Sequence, residues 1–323
     1  MWRRLVASGE QVDNPQWQRK LIETLSLESL KEQRRRRRWG ILFKLLLFIY
    51  LFALLGLTLW RTDLSGEGLG GSEHTARVDL VGLIADGGES SADGVMKGLQ
   101  RAFEDEMTKG VVLYINSPGG SPVQSDLIYR EIKRLRQAHE AIPLYAVITD
   151  IGASGAYYIA AAADKIYVNP SSLVGSIGVL MNGFGFTAAM DKLGIERRLL
   201  TAGEHKGGLD PFSPLEEQAV THIQQVLDDI HTAFIDSVKQ GRGDRLRQSE
   251  ALFSGRIWSG RRAIELGLVD EIGDLHKVAR EVVGVEKIVN FTPEEGLLTR
   301  FADRLGAAIA ATVVQPLQQT TLY

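Results

Sequence analysis

Two glycine-rich segments each hold a serine where a strand-like stretch gives way to a helix-like one. Residues 116–121 read NSPGGS, and residues 150–158 read DIGASGAYY. A serine at such a turn exposes its hydroxyl at the carboxyl edge of a sheet, where the N–H groups of a helix start point at the same place. The chemistry this arrangement supports is attack by Ser154 on a carbonyl, with the N–H groups of Gly120 and Gly155 stabilising the oxyanion.

Both segments also have a purely structural interpretation. The Gly-Ala-Ser-Gly sequence could form a tight turn in which Ser154 caps the following helix. Residues 116–120 could be an ordinary turn or a phosphate-binding loop. Spacing alone leaves these interpretations open.

Four motifs, taken in order, resemble the signal peptide peptidase A family: YINSPGG, DIGASGAYYIAAAADKIYVNP, SSLVGSIGV and GEHKGGLDPF. The resemblance runs from residue 78 to residue 273 and is to the short, single-repeat bacterial form. These are serine–lysine peptidases with a crotonase-like fold, related more distantly to the caseinolytic (Clp) proteases. The resemblance implies an α/β domain of repeated β-β-α units, endopeptidase activity without a cofactor, and a ring-like homo-oligomer that in some members shares the site between subunits.

Carried over by position, the resemblance implies Ser154 as the nucleophile and Lys206 as the general base. It further implies Ser176, in the Gly-Ser-Ile-Gly motif, as the hydroxyl that orients the lysine, and Gly120 and Gly155 as oxyanion donors. A lysine can take a proton only when it is neutral, and enzymes lower the pKa of such bases to roughly 7–8 by burial. Attack on a peptide would then give an acyl-enzyme that water hydrolyses.

The identity of the base rests on the motif match and not on spacing. Lys206 could be a surface lysine in a glycine-rich loop. His205 beside it could be the base instead, with Asp150 as its orienter, since histidine is the commoner partner of a catalytic serine. The glycines at 207–208 make the loop looser than a buried base requires, which would be explained if substrate or a neighbouring subunit orders the base.

Composition argues against several other classes of protein. The 323 residues contain no Cys, so disulfides, thiolate metal sites and a catalytic thiol are excluded. Six His lie without HExxH or comparable ligand spacing, and we expect neither a metal nor a cofactor. A net charge of −3 argues against a nucleic-acid binder, which needs a basic surface to displace counterions.

Residues 41–60, ILFKLLLFIYLFALLGLTLW, form an apolar stretch long enough to cross a bilayer, with one charge at Lys44. Five arginines at 34–38 stand directly before it, and residues 1–40 hold ten Lys and Arg whereas residues 61–80 hold two. The positive-inside rule therefore predicts a single-pass anchor of the bacterial inner membrane, with a cytoplasmic N-terminus and a periplasmic catalytic domain. The stretch is too long and starts too late for a cleaved signal peptide.

Beyond the anchor, strand-like and helix-like segments alternate, which predicts parallel pairing in an α/β domain. Strands are predicted at residues 78–85, 111–116, 143–149, 165–169 and 196–200, helices at 91–107, 122–138, 153–163 and 214–239, and a closing segment at 268–273. The predicted organisation is a basic cytoplasmic segment, an anchor, a linker, a peptidase domain and a C-terminal helix or tail, at residues 1–40, 41–60, 61–76, 77–290 and 291–323.

The leading hypothesis is a membrane-anchored serine endopeptidase that cleaves remnant signal peptides or other apolar peptides at the periplasmic face. Its predicted partners are peptides, the lipid bilayer and further copies of the chain. Two alternatives keep the fold: a crotonase-type acyl-CoA enzyme and a non-catalytic membrane scaffold. Coenzyme A is cytoplasmic, which counts against the first, and the presence of Ser154, Lys206 and Ser176 counts against the second.

Overall fold

The structure is a computed structural model that describes residues 23, 35–56, 72–247 and 249–293, with the backbone only at residue 250. Predictions for most of residues 1–34, for residues 57–71 and for the C-terminal segment from residue 294 lie outside the described residues. The chain divides into two units, Met1–Gly70 and Gly71–Tyr323.

In the first unit, the described residues 35–56 form the helix α1. It comprises Arg35–Gly56, 22 residues that are strongly apolar after the arginines and whose side chains are exposed. The described part of the predicted span, residues 41–56, is therefore helical, and its length and composition suffice to cross a membrane. Signal sequences near an N-terminus share these properties.

The second unit is an α/β domain built on an eight-stranded sheet. Its strands are β1 His74–Ile84, β2 Thr108–Gly120, β3 Leu144–Ala153, β4 Lys165–Val168, β5 Leu173–Gly175, β6 Ile257–Ser259, β7 Glu271–Ile272 and β8 Ile288–Asn290. The order along the sheet is β6-β5-β3-β2-β1-β8, and β4 pairs with both β3 and β7. Every pair is parallel except β5 with β6, so the predicted α/β class is confirmed.

The helices of this unit are α2 Ala92–Glu104, α3 Pro122–Ala138, α4 Gly155–Ala160, α5 Thr187–Leu193, α6 Glu217–Arg242, α7 Gly260–Glu265 and α8 Leu275–Lys277, with a π-helix at Val278–Val283. Helices α2, α3, α7 and α8 begin at a short polar side chain that caps them. The Ser91 hydroxyl accepts from the N–H of Gly94 at the start of α2, and the Ser121 hydroxyl accepts from the N–H of Gln124 at the start of α3. The bounds of α3 agree with the predicted helix at 122–138.

One face of the sheet forms the main core with α2, α3 and α4. Apolar side chains three and four residues apart on α2 and α3, such as Leu99, Ile128 and Ile132, are completely buried against it. The opposite face holds a smaller apolar cluster around Val112 and Val147, which α8 and the π-helix cover.

Several predicted elements are corrected by the structure. The segment at 196–200 is not a strand: it is exposed, and no neighbouring strand pairs with it. The helix predicted at 91–107 ends at Glu104, because β2 already begins at Thr108, and the helix predicted at 153–163 is the shorter α4. Strands β5, β6 and β8 have three residues each, too few to show a periodicity in the sequence.

A buried ion pair attaches the C-terminal end of α6 to the sheet. Arg242 is 1% exposed and donates from both terminal nitrogens to the two carboxylate oxygens of Asp270, at 2.7 and 2.9 Å. Its Nε donates to the carbonyl of Gly267 at 3.0 Å, and the Asp270 carboxylate also accepts from the N–H of Ile166 in β4 at 2.7 Å. Burial opposes ionisation of Asp270, but the hydrogen bonds and charge of Arg242 outweigh it and hold the pKa of Asp270 below its ordinary value.

Replacing Asp270 with Asn leaves the Arg242 guanidinium buried without a counter-charge. We expect Asp270→Asn to lower the free energy of unfolding by about 3 kcal/mol, measured by urea denaturation at pH 7. The control is Asp93→Asn, which breaks an exposed pair with Lys97 and is expected to cost less than about 1 kcal/mol. Equal losses in the two variants would contradict the structural role of the buried pair.

The stabilisation that the Arg242–Asp270 pair provides depends on pH. Because the pKa of Asp270 is lowered on folding, its stabilisation is present above the ordinary carboxylate pKa of about 4 and is lost as the pH falls through the folded value. The difference in unfolding free energy between the parent and Asp270→Asn should therefore narrow in acid.

Candidate active site

The register of β3 brings two serines together. The last residues of β3 pair in parallel with β5, with Ala153 opposite Gly175, and the N–H of Ser154 donates to the carbonyl of Gly175 at 2.8 Å. Ser154 and Ser176, which follow the paired positions, therefore lie beside each other at the carboxyl end of the sheet. Both line one cleft of about 500 Å³.

Both serines adopt a left-handed backbone conformation. Their φ angles are 54° for Ser154 and 52° for Ser176, and no other non-glycine residue in the described part of the chain has a positive φ. This conformation costs a non-glycine residue of order 1–3 kcal/mol and persists only where its surroundings impose it. The Ser154 hydroxyl makes no capping hydrogen bond to α4, which counts against the capping interpretation and leaves this hydroxyl available at the cleft.

Two glycines permit a close approach of backbone next to Ser154. Gly155 is the first residue of α4, where N–H groups have no partner within the helix, and a Cβ at Gly155 would lie 3.4 Å from the Gly120 nitrogen and 2.4 Å from the Ser125 hydroxyl. Gly120 has φ +154°, and a Cβ there would lie 2.1 Å from the carbonyl oxygen of Ile84. Only glycine fits at either position, and the two peptide groups can together hold an oxyanion.

The walls of the cleft are mainly apolar. They include Pro122, Tyr158, Ile230, Phe234 and Phe253. The Tyr158 hydroxyl is already used, since it donates to the Asp126 carboxylate at 3.0 Å and accepts from the Ser237 hydroxyl at 2.8 Å. Burial raises the pKa of Tyr158 to about 12, so it is a neutral phenol at neutral pH and not a general base.

The structure does not bring Lys206 into this cleft. Lys206 is exposed in a turn, where its N–H donates to the carbonyl of Gly203 at 3.2 Å, and it is not among the residues that line the cleft. His205 is exposed as well, and Asp150 borders a different cavity, where it accepts from Asn116. Of the five predicted site residues, the cleft contains Ser154, Ser176, Gly120 and Gly155.

Lys206 belongs to a segment with many exposed apolar side chains, residues 178–216, which we call the arm. Leu180 is 82% exposed, Phe184 77% and Leu200 96%. The arm is internally ordered by α5 and by stacking of Phe186 on Phe212. An exposed apolar surface of this kind is typical of a region that contacts another protein, a membrane or a ligand.

His231 is a residue of the cleft that sequence reasoning missed. It lies on α6, half-buried, and its Nε2 is 3.2 Å from the carbonyl oxygen of Ile177. Its position in the sequence could have indicated it, because His231 lies at helical spacing on the apolar stripe of α6 formed by Leu227, Ile230 and Phe234.

Comparison with known proteins gives the family. The model for peptidase family S49 matches residues 136–288. The chain is 30% identical over 259 residues to "Putative protease MJ0651" of Methanocaldococcus jannaschii, covering 76% of this chain and 82% of that protein. It is 33% identical over 210 residues to "Putative signal peptide peptidase SppA" of Enterococcus faecium, covering 62% and 60% respectively.

A longer relative is more similar in sequence to this chain than the two proteins above. The chain is 41% identical over 238 residues to "Na(+)/H(+) antiporter NhaA" of Brucella abortus, covering 71% of this chain but only 32% of that protein. The chain therefore spans about a third of that relative's length, and most of that protein lies outside the match. The similarity to the M. jannaschii protein extends over most of both chains, and together with the family match it shows that this chain belongs to peptidase family S49.

Proposed function

We propose that this chain is a membrane-anchored serine endopeptidase in which Ser154 is the nucleophile and Lys206 the general base. The observation that carries the proposal is the convergence of the Ser154 hydroxyl with the Gly120 and Gly155 peptide groups at one cleft, in a chain of a peptidase family. A hydroxyl beside two preorganised N–H donors is the arrangement that acyl transfer requires.

In the proposed reaction the neutral Lys206 amine takes the proton from the Ser154 hydroxyl as the oxygen attacks the peptide carbonyl. The N–H groups of Gly120 and Gly155 donate to the oxyanion that forms. The C–N bond then breaks, and the leaving amine takes its proton from the Lys206 ammonium. Water, deprotonated by the same amine, then attacks the ester, and the bond to the Ser154 oxygen breaks as that oxygen takes a proton back from the Lys206 ammonium. The Ser176 hydroxyl orients the lysine throughout.

The position of Lys206 leads us to propose that the base comes from a second copy of the chain. Lys206 lies outside the cleft of its own chain, on an arm with exposed Leu180, Phe184 and Leu200. Packing this arm against the cleft of a neighbour would bury these side chains and bring in Lys206 of the partner subunit. Because burial disfavours a charged amine, the same contact would supply the neutral base that the mechanism needs.

The substrates we propose are apolar peptides, among them remnant signal peptides. Support comes from the mainly apolar wall of the cleft and from α1, which would hold the cleft near a bilayer where such peptides are released. The arginines before α1 favour a cytoplasmic N-terminus and a periplasmic peptidase domain. Hydrolysis of peptides without added coenzyme A would separate this function from an acyl-CoA reaction.

The nucleophile is tested by Ser154→Ala in the full chain in detergent. We expect peptide hydrolysis to fall by a factor of at least about 10³ and labelling by a fluorophosphonate to be lost, because the substitution removes the oxygen that attacks the carbonyl and the phosphorus. The control is Ser171→Ala, an exposed serine outside the cleft, which should label and cleave like the parent. Parent-level cleavage by Ser154→Ala would overturn the mechanism.

The shared site is tested by mixing two inactive variants. We expect Ser154→Ala and Lys206→Ala each to be inactive alone. Co-expression in equal amounts should restore about a quarter of the parent rate, because in a random assembly about half of the sites have an intact serine and about half of their neighbours supply an intact lysine. The control is Lys192→Ala, another exposed lysine of the arm, which should stay active.

The outcomes of the mixing experiment separate three arrangements. A mixture that remains inactive would mean that serine and base belong to one chain. Near-parent activity of Lys206→Ala alone would mean that the base is another group, and His205→Gln would be measured next.

The absence of natural Cys allows a direct test of membrane topology. We expect Glu73→Cys, in the second unit, to react with a membrane-impermeant maleimide in intact spheroplasts, and Glu23→Cys to react only after the membrane is opened. The reverse pattern would place the peptidase domain in the cytoplasm, and equal labelling of both in intact spheroplasts would argue against a spanning helix.

A further inference from the structure

We propose that His231 is a positioning residue for this reaction: its imidazole holds the carbonyl of Ile177 and thereby keeps Ser176 beside Ser154. The inference rests on the proposed function, because it assigns a role to a side chain that the serine–lysine mechanism does not itself require.

Ser176 needs external support to keep its conformation. Its φ of 52° is unfavourable for a residue with a side chain, and such a conformation relaxes unless neighbouring bonds hold it. One support is local: the N–H of Ser176 donates to the carbonyl of Arg256 at 2.7 Å, which ties Ser176 to the segment that leads into β6. The β3–β5 ladder holds the preceding residue, Gly175, through the N–H of Ser154. Beyond that last ladder bond, the Arg256 bond would still let Ser176 and the β6 segment shift together.

The second support acts on the next residue, from two directions. The carbonyl oxygen of Ile177 accepts from the N–H of Gly255 at 3.0 Å and lies 3.2 Å from Nε2 of His231. Since a carbonyl only accepts hydrogen bonds, Nε2 carries the proton in this contact. The Gly255 bond again joins the segment to the β6 side, whereas the His231 bond joins it to α6.

The place of His231 on α6 fits this role. Its neighbours on the same stripe, Ile230 and Phe234, contribute apolar wall to the cleft, and Ile177 itself is completely buried. A polar ring on such a stripe is unfavourable unless it has a hydrogen-bond partner, and the Ile177 carbonyl supplies one. The side chain is therefore placed to connect α6 with the segment that follows β5.

The helix from which His231 acts is itself fixed. About three turns beyond His231, α6 ends at the buried Arg242, which donates to both carboxylate oxygens of Asp270. A hydrogen bond from a fixed helix limits how far Ile177, and with it Ser176, can shift. Misplacement of a catalytic constellation by about 1 Å can cost up to about a hundredfold in rate, so this restraint acts on turnover more than on binding.

The test compares two substitutions at His231 in the full-length chain in detergent. His231→Leu keeps apolar volume but removes the donor, and His231→Gln keeps an amide N–H donor at about the reach of Nε2. The control is His222→Leu, the same substitution at an exposed position of the same helix. The measurements are kcat and KM for a peptide, the rate of labelling of Ser154 by a fluorophosphonate, and the midpoint of thermal unfolding.

We expect His231→Leu to lower kcat by about tenfold to a hundredfold with KM within about twofold of the parent, and to slow labelling by a similar factor. His231→Gln should recover most of the loss, and His222→Leu should match the parent. If His231→Leu does not fold, His231→Ala with and without added imidazole takes its place, and recovery with imidazole is the expected result.

Two results would overturn the proposal. Parent-level kcat and labelling in His231→Leu would mean that the Ile177 contact does not position Ser176. A folded His231→Gln that is as slow as His231→Leu would mean that a hydrogen-bond donor at this position is not sufficient. The imidazole ring would then take part in the chemistry itself and would not merely position the segment that follows β5. Failure of the peptidase function is recognised separately, because parent hydrolysis would then be independent of Ser154.

Discussion

The candidate site depends on a close contact between two pieces of backbone. The end of β2 lies against the start of α4, since a Cβ at Gly119 would be 2.7 Å from the nitrogen of Gly155. The neighbouring elements also leave no room for a Cβ at Gly120, which would clash with Ile84 of β1, or at Gly155, which would clash with Ser125 of α3. This contact puts two peptide groups beside the Ser154 hydroxyl. It exists because β2 and β3 are neighbouring parallel strands whose carboxyl ends meet at one edge of the sheet.

The serine side of the site is held by bonds that oppose backbone strain. Ser154 and Ser176 both occupy the left-handed region, and each is fixed through its N–H, by Gly175 in one case and by Arg256 in the other. Helix α6 adds a wall and a histidine contact, and its far end is attached by the Arg242–Asp270 pair. A strained arrangement of this kind needs support from several elements, and these come from distant parts of the chain.

The proposed base, Lys206, lies in a different environment from the two serines. Lys206 lies on an exposed, apolar arm, so among the described residues the proposed nucleophile and oxyanion donors share a cleft that no lysine of the same chain lines. In the proposed assembly, one contact between subunits would bury the apolar side chains of the arm and also shield the Lys206 amine from water. Activity would then require assembly, which would restrict cleavage to assembled chains at the membrane.

The sequence by itself determined the α/β class, the limits of α3, the apolar α1 segment and the glycine-rich turns, because these follow from periodicity, capping and glycine requirements that act over a few residues. Motif resemblance pointed to Ser154, Ser176, Gly120 and Gly155, and the structure brings these four to one cleft. The three-residue strands and the His231 contact were not predicted, and residues 196–200 were wrongly predicted to form a strand. Only the tertiary structure decided them, because strand register and the packing of α6 join residues far apart in sequence, and no local pattern encodes which distant partner a backbone group will meet.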